Sequence, residues 1–167
     1  LKRASSSLDI CKSIFTYYNS DDLFAKINWV DGDINDIPSL EEGMKDCNLL
    51  LHCAGLVSFS PSDIELLKKV NIEGTANVMN VALSSGIKKA GFVSSIAALG
   101  RNSTIGIVDE ECYFKATKID SNYALSKYFS EQEVWRASAE GLDVVIVNPS
   151  VILGPGDWTK GSSKIFE

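Results

Sequence analysis

The sequence predicts an α/β fold in which a parallel β-sheet is covered by helices on both faces. Short apolar stretches of strand length recur along the 167 residues, at 27–30, 49–51, 91–93 and 144–147. Each of them leads into a segment that is helix-like or polar. Short apolar strands that alternate with helices are typical of a parallel sheet buried on both sides. The length and a hydrophobic content of 45% suit one compact core, so a single domain is expected.

Helices are predicted from apolar spacing and from residues that begin or end helices. The first is indicated by apolar residues near one helical face, namely Leu8, Cys11, Phe15 and Tyr18. A short helix over 38–45 has a proline at an early position. A longer helical region covers 61–83, with a break expected around Gly74 and a stop at Gly86.

The last predicted helix begins at Asp120 or Ser121, either of which can cap it, and ends at Gly141. Its buried stripe is expected to contain Ala124, Tyr128, Trp135 and Ala139. The segment 101–122 before it is long and irregular. Long loops in compact domains are usually functional, so this segment is expected to border the substrate.

Composition argues against several functions. A net charge of −6 disfavours binding to the phosphate backbone of a nucleic acid. The four cysteines show no C-x-x-C pair and are interpreted as reduced and structural. The single histidine, His52, is interpreted as the cap of a buried strand; a zinc site is the less favoured alternative, and no metal is predicted. No apolar run approaches the ~20 residues that cross a bilayer, and no secretory signal is found, so a cytoplasmic protein without a membrane partner is expected.

The chemistry is indicated by the pentad Tyr123 to Lys127, Tyr-Ala-Leu-Ser-Lys, together with Ser94 and Ser95 at the end of an apolar run. Positions i and i+4 share a helical face, so the Lys127 ammonium can lie beside the Tyr123 phenol and lower its pKa from about 10. Tyr123 would move a proton, a serine would orient the same substrate oxygen, and Lys127 would tune the phenol. The alternative is an exposed helical lysine beside a core tyrosine. Ser95 directly follows its strand, at the edge where parallel sheets bind ligands.

Seven short motifs occur in a fixed order along nearly the whole chain. They are Gly32-Asp33-Ile34, His52-Cys53-Ala54-Gly55, Val70-Asn71-Ile72-Glu73-Gly74-Thr75, Val93-Ser94-Ser95-Ile96, Tyr123-x-x-Ser126-Lys127, Asn148-Pro149-Ser150-Val151 and Gly154-Pro155-Gly156. On these motifs the chain resembles the extended short-chain dehydrogenases/reductases. The resemblance is to the branch of dihydroflavonol-reductase-like, 3β-hydroxysteroid-dehydrogenase-like and NAD-dependent epimerase/dehydratase proteins, and it implies a Rossmann-like sheet.

The resemblance also implies roles for individual residues. The catalytic positions are Ser95, Tyr123 and Lys127, with Ser94 the less favoured serine and Asn71 on a helix near the active site. The positions expected to contact the dinucleotide are Asp33 and Ile34 at the adenine, Ala54 and Gly55 along the backbone, Lys127 at the nicotinamide ribose, and Pro149, Ser150 and Val151 at the carboxamide. Simple turn or strand-end roles are the alternatives for Asp33, Gly55 and Pro149.

The chain departs from the family pattern at both ends. The family opens with a strand and a G-x-x-G-x-x-G turn that approaches the pyrophosphate, whereas residues 1–3 here resemble the end of a second strand. We therefore expect residues 1–167 to be a partial dinucleotide-binding domain that lacks the first strand and the Gly-rich turn, with the C-terminal substrate-binding part absent. Weak cofactor binding and no activity are expected of this chain alone. The strand before Asp33 is expected to pair abnormally or to be poorly ordered, because its neighbour is missing.

The expected function is that of a nicotinamide-dependent oxidoreductase acting on a carbonyl or secondary alcohol of a small molecule. Val-Ser-Ser-Ile-Ala-Ala favours a dihydroflavonol-reductase-like enzyme. Arg3 lies where a basic residue can pair with the 2′-phosphate of NADP, so NADP is favoured over NAD, unless Arg3 is an ordinary surface residue. Two alternatives stay open: a sugar-nucleotide epimerase or dehydratase with tightly held NAD, and a non-catalytic NAD(P)-binding regulator. A homodimer is compatible with the resemblance, because family members often pair through long helices.

Overall fold

The computed structural model describes residues 1–100, 106, 108–112, 114–117 and 120–157. The chain divides into two compact units. The larger unit is Ile34–Ser150, and the smaller unit contains Leu1–Asp33 and the segment that begins at Val151. The expectation of one partial dinucleotide-binding domain over residues 1–167 stays a prediction.

The larger unit is built around a parallel sheet of three strands, in the order β1-β2-β3. The strands are β1 (Leu49–His52), β2 (Lys89–Val93) and β3 (Asp143–Val147). Their register aligns Leu50 with Ala90 and Ala90 with Val144. The strands predicted at 49–51, 91–93 and 144–147 are thus confirmed, and so is the α/β, Rossmann-like fold class.

In the larger unit one helix precedes β1, and the others lie between strands in chain order. These helices are α3 (Ile37–Met44), α4 (Ile64–Leu67), α5 (Gly74–Ser84) and α6 (Asn122–Ala139), with 3₁₀ turns at Pro61–Asp63 and Ile96–Ala98. A π-helical turn at Lys68–Glu73 joins α4 to α5. The expected irregularity near Gly74 is therefore a widened turn and not an end of the helix. Gly86 and Gly141 follow α5 and α6 with φ of 72° and 109°, which only glycine adopts easily.

The core lies where helices pack on one face of the sheet. Its fully buried members include Met79, Ala82, Phe92, Val134 and Ala137. The opposite face of the sheet is also apolar, since it presents Leu51, Val145 and Val147, and all three are exposed in this chain. An apolar composition on both faces is typical of a sheet that forms a middle layer.

The predicted buried stripe of the last helix is wrong in part. Trp135 is 52% exposed and Ala139 is exposed, whereas the buried residues of α6 are Ala124, Ser126, Lys127, Ser130, Val134 and Ala137. The face of α6 that packs on α5 and on the π-helical turn is thus rich in small and polar side chains. Apolar spacing alone therefore pointed to the wrong side of the helix.

The smaller unit contains the helices α1 (Asp9–Tyr17) and α2 (Asp21–Phe24). The strand predicted over 27–30 is not formed, because pairing is limited to one parallel bridge between Lys2 and Asp31. Two backbone hydrogen bonds support the bridge: Lys2 N–H donates to the Val30 carbonyl at 2.9 Å, and Gly32 N–H donates to the Lys2 carbonyl at 2.8 Å. The segment is therefore paired with the N-terminal residues of the same chain, and its abnormal pairing with another strand or another chain stays a prediction. A single bridge is too short to make a ladder, so neither segment forms a regular strand.

Among the helices that the structure describes, none has the length and apolar character to cross a membrane. Within the same residues, no three His, Cys, Asp or Glu side chains are grouped so that they could hold a metal ion. All four cysteines are free thiols.

Candidate active site

Three strands end at one edge of the sheet, and the residues that follow them include most of the predicted site. Ala54 and Gly55 follow β1, Ser94 and Ser95 follow β2, and Asn148 follows β3. Helix α6 packs against the 3₁₀ turn after β2, so it brings its first turns to the same edge. This is the edge at which open parallel sheets bind ligands.

Helix α6 begins as predicted from its capping residue. The Ser121 hydroxyl oxygen accepts a hydrogen bond from the Ala124 N–H at 3.1 Å and so satisfies one of the free amides of the first turn. Because this cap fixes the start of the helix, Tyr123 lies in its first turn and Lys127 one turn later.

Lys127 is almost completely buried, with 6% of its surface exposed. Its Nζ donates a hydrogen bond to the Val93 carbonyl at 2.9 Å and lies 4.5 Å from the centre of the Phe92 ring. Burial lowers the pKa of Lys127 from 10.5 to about 8, and the Glu131 carboxylate and the Cys53 thiol oppose that shift. The structure thus places the Lys127 ammonium group in a buried position at the carboxyl end of β2.

Tyr123 opens into a cavity of about 680 Å³. The cavity is lined by Phe59, Ile96, Ala97, Leu99, Val108, Phe114, Asp120, Ser121, Ala124 and Ser150 in addition to Tyr123. The Phe59 ring packs edge-on against the Tyr123 ring, with centroids 5.7 Å apart. Four lining residues belong to the segment that the sequence assigns to the border of the substrate, namely Val108, Phe114, Asp120 and Ser121. Residues 101–105, 107, 113, 118 and 119 of this segment lie outside the described residues.

The two serines after β2 have different surroundings. Ser94 is buried, and its hydroxyl donates to Oε2 of Glu131 at 2.6 Å. Ser95 is half-buried, and its hydroxyl oxygen accepts from the Ala97 N–H at 3.1 Å, which caps the 3₁₀ turn. The Ser94 proton is therefore committed to a carboxylate, whereas Ser95 uses its oxygen as the acceptor.

Asn71 lies in the π-helical turn and is 2% exposed. Its Oδ1 accepts from the Leu56 N–H at 2.7 Å, and its Nδ2 donates to the Leu56 carbonyl at 2.9 Å and to the Ser126 hydroxyl at 2.8 Å. Ser126 in turn donates to the Tyr123 carbonyl at 2.8 Å. Asn71 therefore connects the loop after β1 to the first turn of α6.

The site agrees with comparisons to known proteins. The model of the NAD dependent epimerase/dehydratase family matches residues 11–167. The chain belongs to this family. It is 39% identical over 131 residues to a protein of Synechocystis sp. that is named as a dihydroflavonol 4-reductase, a match that covers 78% of this chain and 38% of the relative. The resemblance to extended short-chain dehydrogenases/reductases is thereby confirmed.

Solved structures show the same fold. The crystal structure of gox2253 matches with a TM-score of 0.74 and 34% identity over 87% of this chain and 45% of that one. The dTDP-glucose 4,6-dehydratase DesIV from Streptomyces venezuelae, solved with NAD bound, has a TM-score of 0.66 at 24% identity and covers 78% of this chain and 41% of that one. The chain thus spans less than half the length of these relatives. The family contains NAD(P)-dependent reductases, epimerases and dehydratases.

An epimerase/dehydratase-family chain needs backbone that a dinucleotide can approach, and Gly55 fits this requirement. A Cβ added at Gly55 would meet nothing nearer than Asn71 Oδ1 at 3.5 Å. Packing within the protein therefore leaves room at this position, which suits a ligand lying against the backbone. Of the other positions expected to contact the cofactor, Pro149 accepts from the Ile96 N–H at 3.1 Å and Ser150 lines the cavity.

The remaining cofactor positions are located as follows. Ile34 belongs to the larger unit, where its side chain packs on Gly74 and its carbonyl accepts from Asn77 Nδ2 at 3.2 Å. Arg3, Asp33 and Val151 belong to the smaller unit. The roles of all these residues stay predictions.

His52 ends β1, as predicted, and its side chain is buried, but the strand is not a buried one, since Leu49 and Leu51 are exposed. Its Nε2 lies 2.9 Å from the Thr75 hydroxyl oxygen. Burial, with a smaller contribution from the Lys127 charge, lowers the pKa of His52 from 6.5 to about 4. The ring is therefore neutral at physiological pH.

Glu131 was not predicted as a site residue from the sequence. Its carboxylate accepts from Ser94 and also from Asn148 Nδ2, which lies 3.0 Å from Oε2. The available signal was spacing, because Glu131 is four residues after Lys127 and shares its helical face. Spacing alone does not distinguish such a carboxylate from an ordinary surface charge.

Proposed function

We propose that this chain carries the catalytic residues of an NAD(P)-dependent reductase or dehydrogenase that acts on a carbonyl or secondary alcohol, with Tyr123 as the proton donor and acceptor. One observation supports it above the others. Tyr123 opens into the cavity at the carboxyl edge of the sheet, and the buried cation Lys127 lies one helical turn further along.

The proposed reaction balances as follows in the direction of reduction. The dinucleotide, when bound, supplies a hydride to the carbonyl carbon. Tyr123 gives its phenolic proton to the carbonyl oxygen, so that an alcohol is formed, and solvent later returns a proton to the phenolate. Among the described residues, the Ser95 hydroxyl acts only as an acceptor, from the Ala97 N–H, and we propose that it donates its proton to the same substrate oxygen. Lys127 stabilises the phenolate while it exists.

The cavity favours an apolar substrate body. Seven of its eleven lining residues are aliphatic or phenylalanine, including Phe59, Leu99, Val108 and Phe114, and four have polar side chains, namely Asp120, Ser121, Tyr123 and Ser150. Such a wall binds a ring or chain better than it binds the hydroxyl-rich sugar of a sugar nucleotide, whose polar groups would lose water without new partners. We therefore favour a reductase of the dihydroflavonol-reductase type.

The second candidate is a sugar-nucleotide epimerase or dehydratase that holds its cofactor throughout the cycle. The family to which the chain belongs includes such enzymes. Cofactor retention by the purified full-length protein separates the two candidates. Release of stoichiometric NAD(P) only after gentle denaturation would favour the epimerase or dehydratase, whereas loss of cofactor during gel filtration favours the reductase.

NADP is the proposed cofactor because Arg3 follows the N-terminal residues expected to end the second strand. The preference is measured as the ratio of KM values for NADH and NADPH. In an Arg3→Gln variant we expect the KM for NADPH to rise about tenfold, since a charge-assisted hydrogen bond is worth roughly 1.5 kcal/mol or more, and the KM for NADH to stay unchanged. Equal effects on both cofactors would show that Arg3 does not recognise the 2′-phosphate.

The central test is Tyr123→Phe in the full-length protein. NADPH oxidation is followed at saturating cofactor with a panel of aromatic and aliphatic ketones and aldehydes. We expect kcat to fall about 10²- to 10⁴-fold, the usual contribution of a general acid, with little change in cofactor affinity. Tyr128→Phe is the matched control, because Tyr128 lies on the same helix and its ring stacks on Phe114 at 4.5 Å. Unchanged turnover in the Tyr123 variant would point instead to a non-catalytic NAD(P)-binding regulator.

A further inference from the structure

Glu131 lies on α6 one turn after Lys127, and its carboxylate faces the carboxyl edge of the sheet. Oε2 accepts two hydrogen bonds, from the Ser94 hydroxyl at 2.6 Å and from Asn148 Nδ2 at 3.0 Å. Oε1 is 3.4 Å from Nε1 of Trp135 on the same helix. The 2.6 Å distance is typical of a strong hydrogen bond from a hydroxyl to an ionised carboxylate.

The two partners of Glu131 come from two different strands. Ser94 follows β2, and Asn148 follows β3. Asn148 Nδ2 also donates to the Ser95 carbonyl at 3.1 Å. The same turn is attached to the end of β3 by backbone hydrogen bonds, from Ser94 N–H to the Val147 carbonyl at 2.8 Å and from Ile96 N–H to the Pro149 carbonyl at 3.1 Å. The backbone thus joins β2 to β3, and the Glu131 side chain joins both of them to α6.

We propose that Glu131 is a positioning residue, which holds the turn that carries Ser95 at a fixed distance from the helix that carries Tyr123 and Lys127. The inference rests on the proposed function, because alignment of Ser95 with Tyr123 matters only if both act on one substrate oxygen. Two such groups act together only if their positions are held to well within about 1 Å. Hydrogen bonds from supporting residues provide this precision.

The charge of Glu131 has a second effect on the same site. Among the described residues, Glu131 on its own helix and Cys53 after β1 act electrostatically on Lys127, and the Lys127 charge in turn lowers the pKa of His52. The Glu131 carboxylate raises the pKa of Lys127 against the lowering caused by burial. Removal of the charge should therefore allow Lys127 to lose its proton at lower pH.

Two substitutions separate geometry from charge in the full-length protein. Glu131→Gln keeps an amide oxygen that can accept from Ser94 and Asn148. We expect its kcat to stay within about threefold of wild type, with the high-pH limb of its kcat/KM profile moved to lower pH. Glu131→Ala removes the acceptor, and we expect kcat to fall about 30-fold, with less than a threefold change in the KM for NADPH. Glu133→Gln, which only breaks an ion pair with Arg136, is the matched control and should behave as wild type.

Hydrogen exchange of the peptide that covers Ser94–Ala98 provides a readout that does not depend on activity. Exchange should become faster in Glu131→Ala and stay slow in Glu131→Gln. If Glu131→Ala does not fold, Ser94→Ala, which deletes the 2.6 Å bond, should show the same acceleration. Unchanged exchange in the alanine variant, or kcat within threefold of wild type, overturns the inference. A wild-type protein without activity refutes the proposed function instead, and the exchange experiment still tests the attachment of the turn.

Discussion

Replacement of Asn71 tests which hydrogen bonds hold the site together. The expected loss in the free energy of unfolding can be worked out from the structure. Asn71→Ala removes three hydrogen bonds, two with the Leu56 backbone and one with the Ser126 hydroxyl. A hydrogen bond of this kind contributes about 1 kcal/mol net, and the loss is larger where a buried partner is left without another. Ser126 keeps its bond to the Tyr123 carbonyl, but the Leu56 groups lose their side-chain partner. We expect the free energy of unfolding to fall by about 3 kcal/mol.

Asn71→Asp changes the chemistry with almost no change in shape. One carboxylate oxygen can accept from the Leu56 N–H, but the other would face the Leu56 carbonyl and a Ser126 hydroxyl whose proton is already donated to Tyr123. Burial of this charge next to an acceptor raises the pKa of the new carboxyl in the folded state. A raised folded pKa means that stability is present at low pH and is lost as the pH rises through that pKa. The variant should therefore be least stable at neutral and alkaline pH.

The assay is urea unfolding of both Asn71 variants at pH 5 and pH 8, followed by the fluorescence of the three tryptophans. Asn80→Ala is the matched control: Asn80 is an exposed asparagine on α5, bonded to Arg136, and its loss should change stability by no more than about 0.5 kcal/mol. An alanine variant that loses less than about 1 kcal/mol would refute the reasoning. So would an aspartate variant whose stability relative to wild type is the same at both pH values.

Three further outcomes are expected. Gly74→Ala should destabilise by about 1–2 kcal/mol, since its Cβ would lie 2.9 Å from Cγ1 of Ile34; urea unfolding measures this, and Gly55→Ala, without such an overlap, should be neutral or slightly stabilising. The folded pKa of His52, lowered to about 4, favours the neutral ring, so roughly 3 kcal/mol of stability should be present above pH 6.5 and lost as the pH falls towards 4. A His52→Gln variant should show a flatter pH profile in the same assay. The kcat/KM of the full-length enzyme should decline as the pH rises through about 8, where Lys127 loses its proton, and a flat profile up to pH 10 would contradict this assignment.

The strands of the larger unit could be predicted from sequence because each is a short apolar run bounded by polar or turn residues. Such a run can be recognised from the local sequence alone, because a strand in the middle layer of a fold needs apolar residues on both faces. The run at 27–30 looks the same in the sequence but forms only the bridge at Asp31. A ladder of hydrogen bonds between two strands requires a partner strand of matching length. Whether such a partner exists depends on the whole sheet and cannot be seen in the local sequence.

The buried face of α6 could not be predicted for a different reason. Hydrophobic periodicity identifies the buried face of a helix only when the buried residues are the apolar ones. In α6, Ser126, Lys127 and Ser130 are buried while Trp135 is exposed. The serines are satisfied by hydrogen bonds, as in the bond from Ser130 to the Lys127 carbonyl at 3.3 Å. A face built from small and hydrogen-bonded side chains allows close helix packing but gives no apolar signal.

The catalytic candidates were recognisable because Tyr123 and Lys127 are related by spacing within one helix, and because Ser95 directly follows a strand. Glu131 could not be recognised in this way. Its partners, Ser94 and Asn148, come from parts of the chain that only the parallel sheet brings together. Residues whose role depends on contacts between distant segments require coordinates.

The widened turn at Lys68–Glu73 limits which insertions and deletions this protein can tolerate during evolution. Successive residues of a helix are rotated by about 100°, so loss or gain of a single residue within the turn would rotate one side of the helix against the other by that angle. Asn71 would then point away from Leu56, however well the rest of the chain folded. Insertions and deletions should therefore be rejected between residues 68 and 73 and tolerated in the surface loops, a difference that a deletion scan would reveal without any knowledge of the substrate.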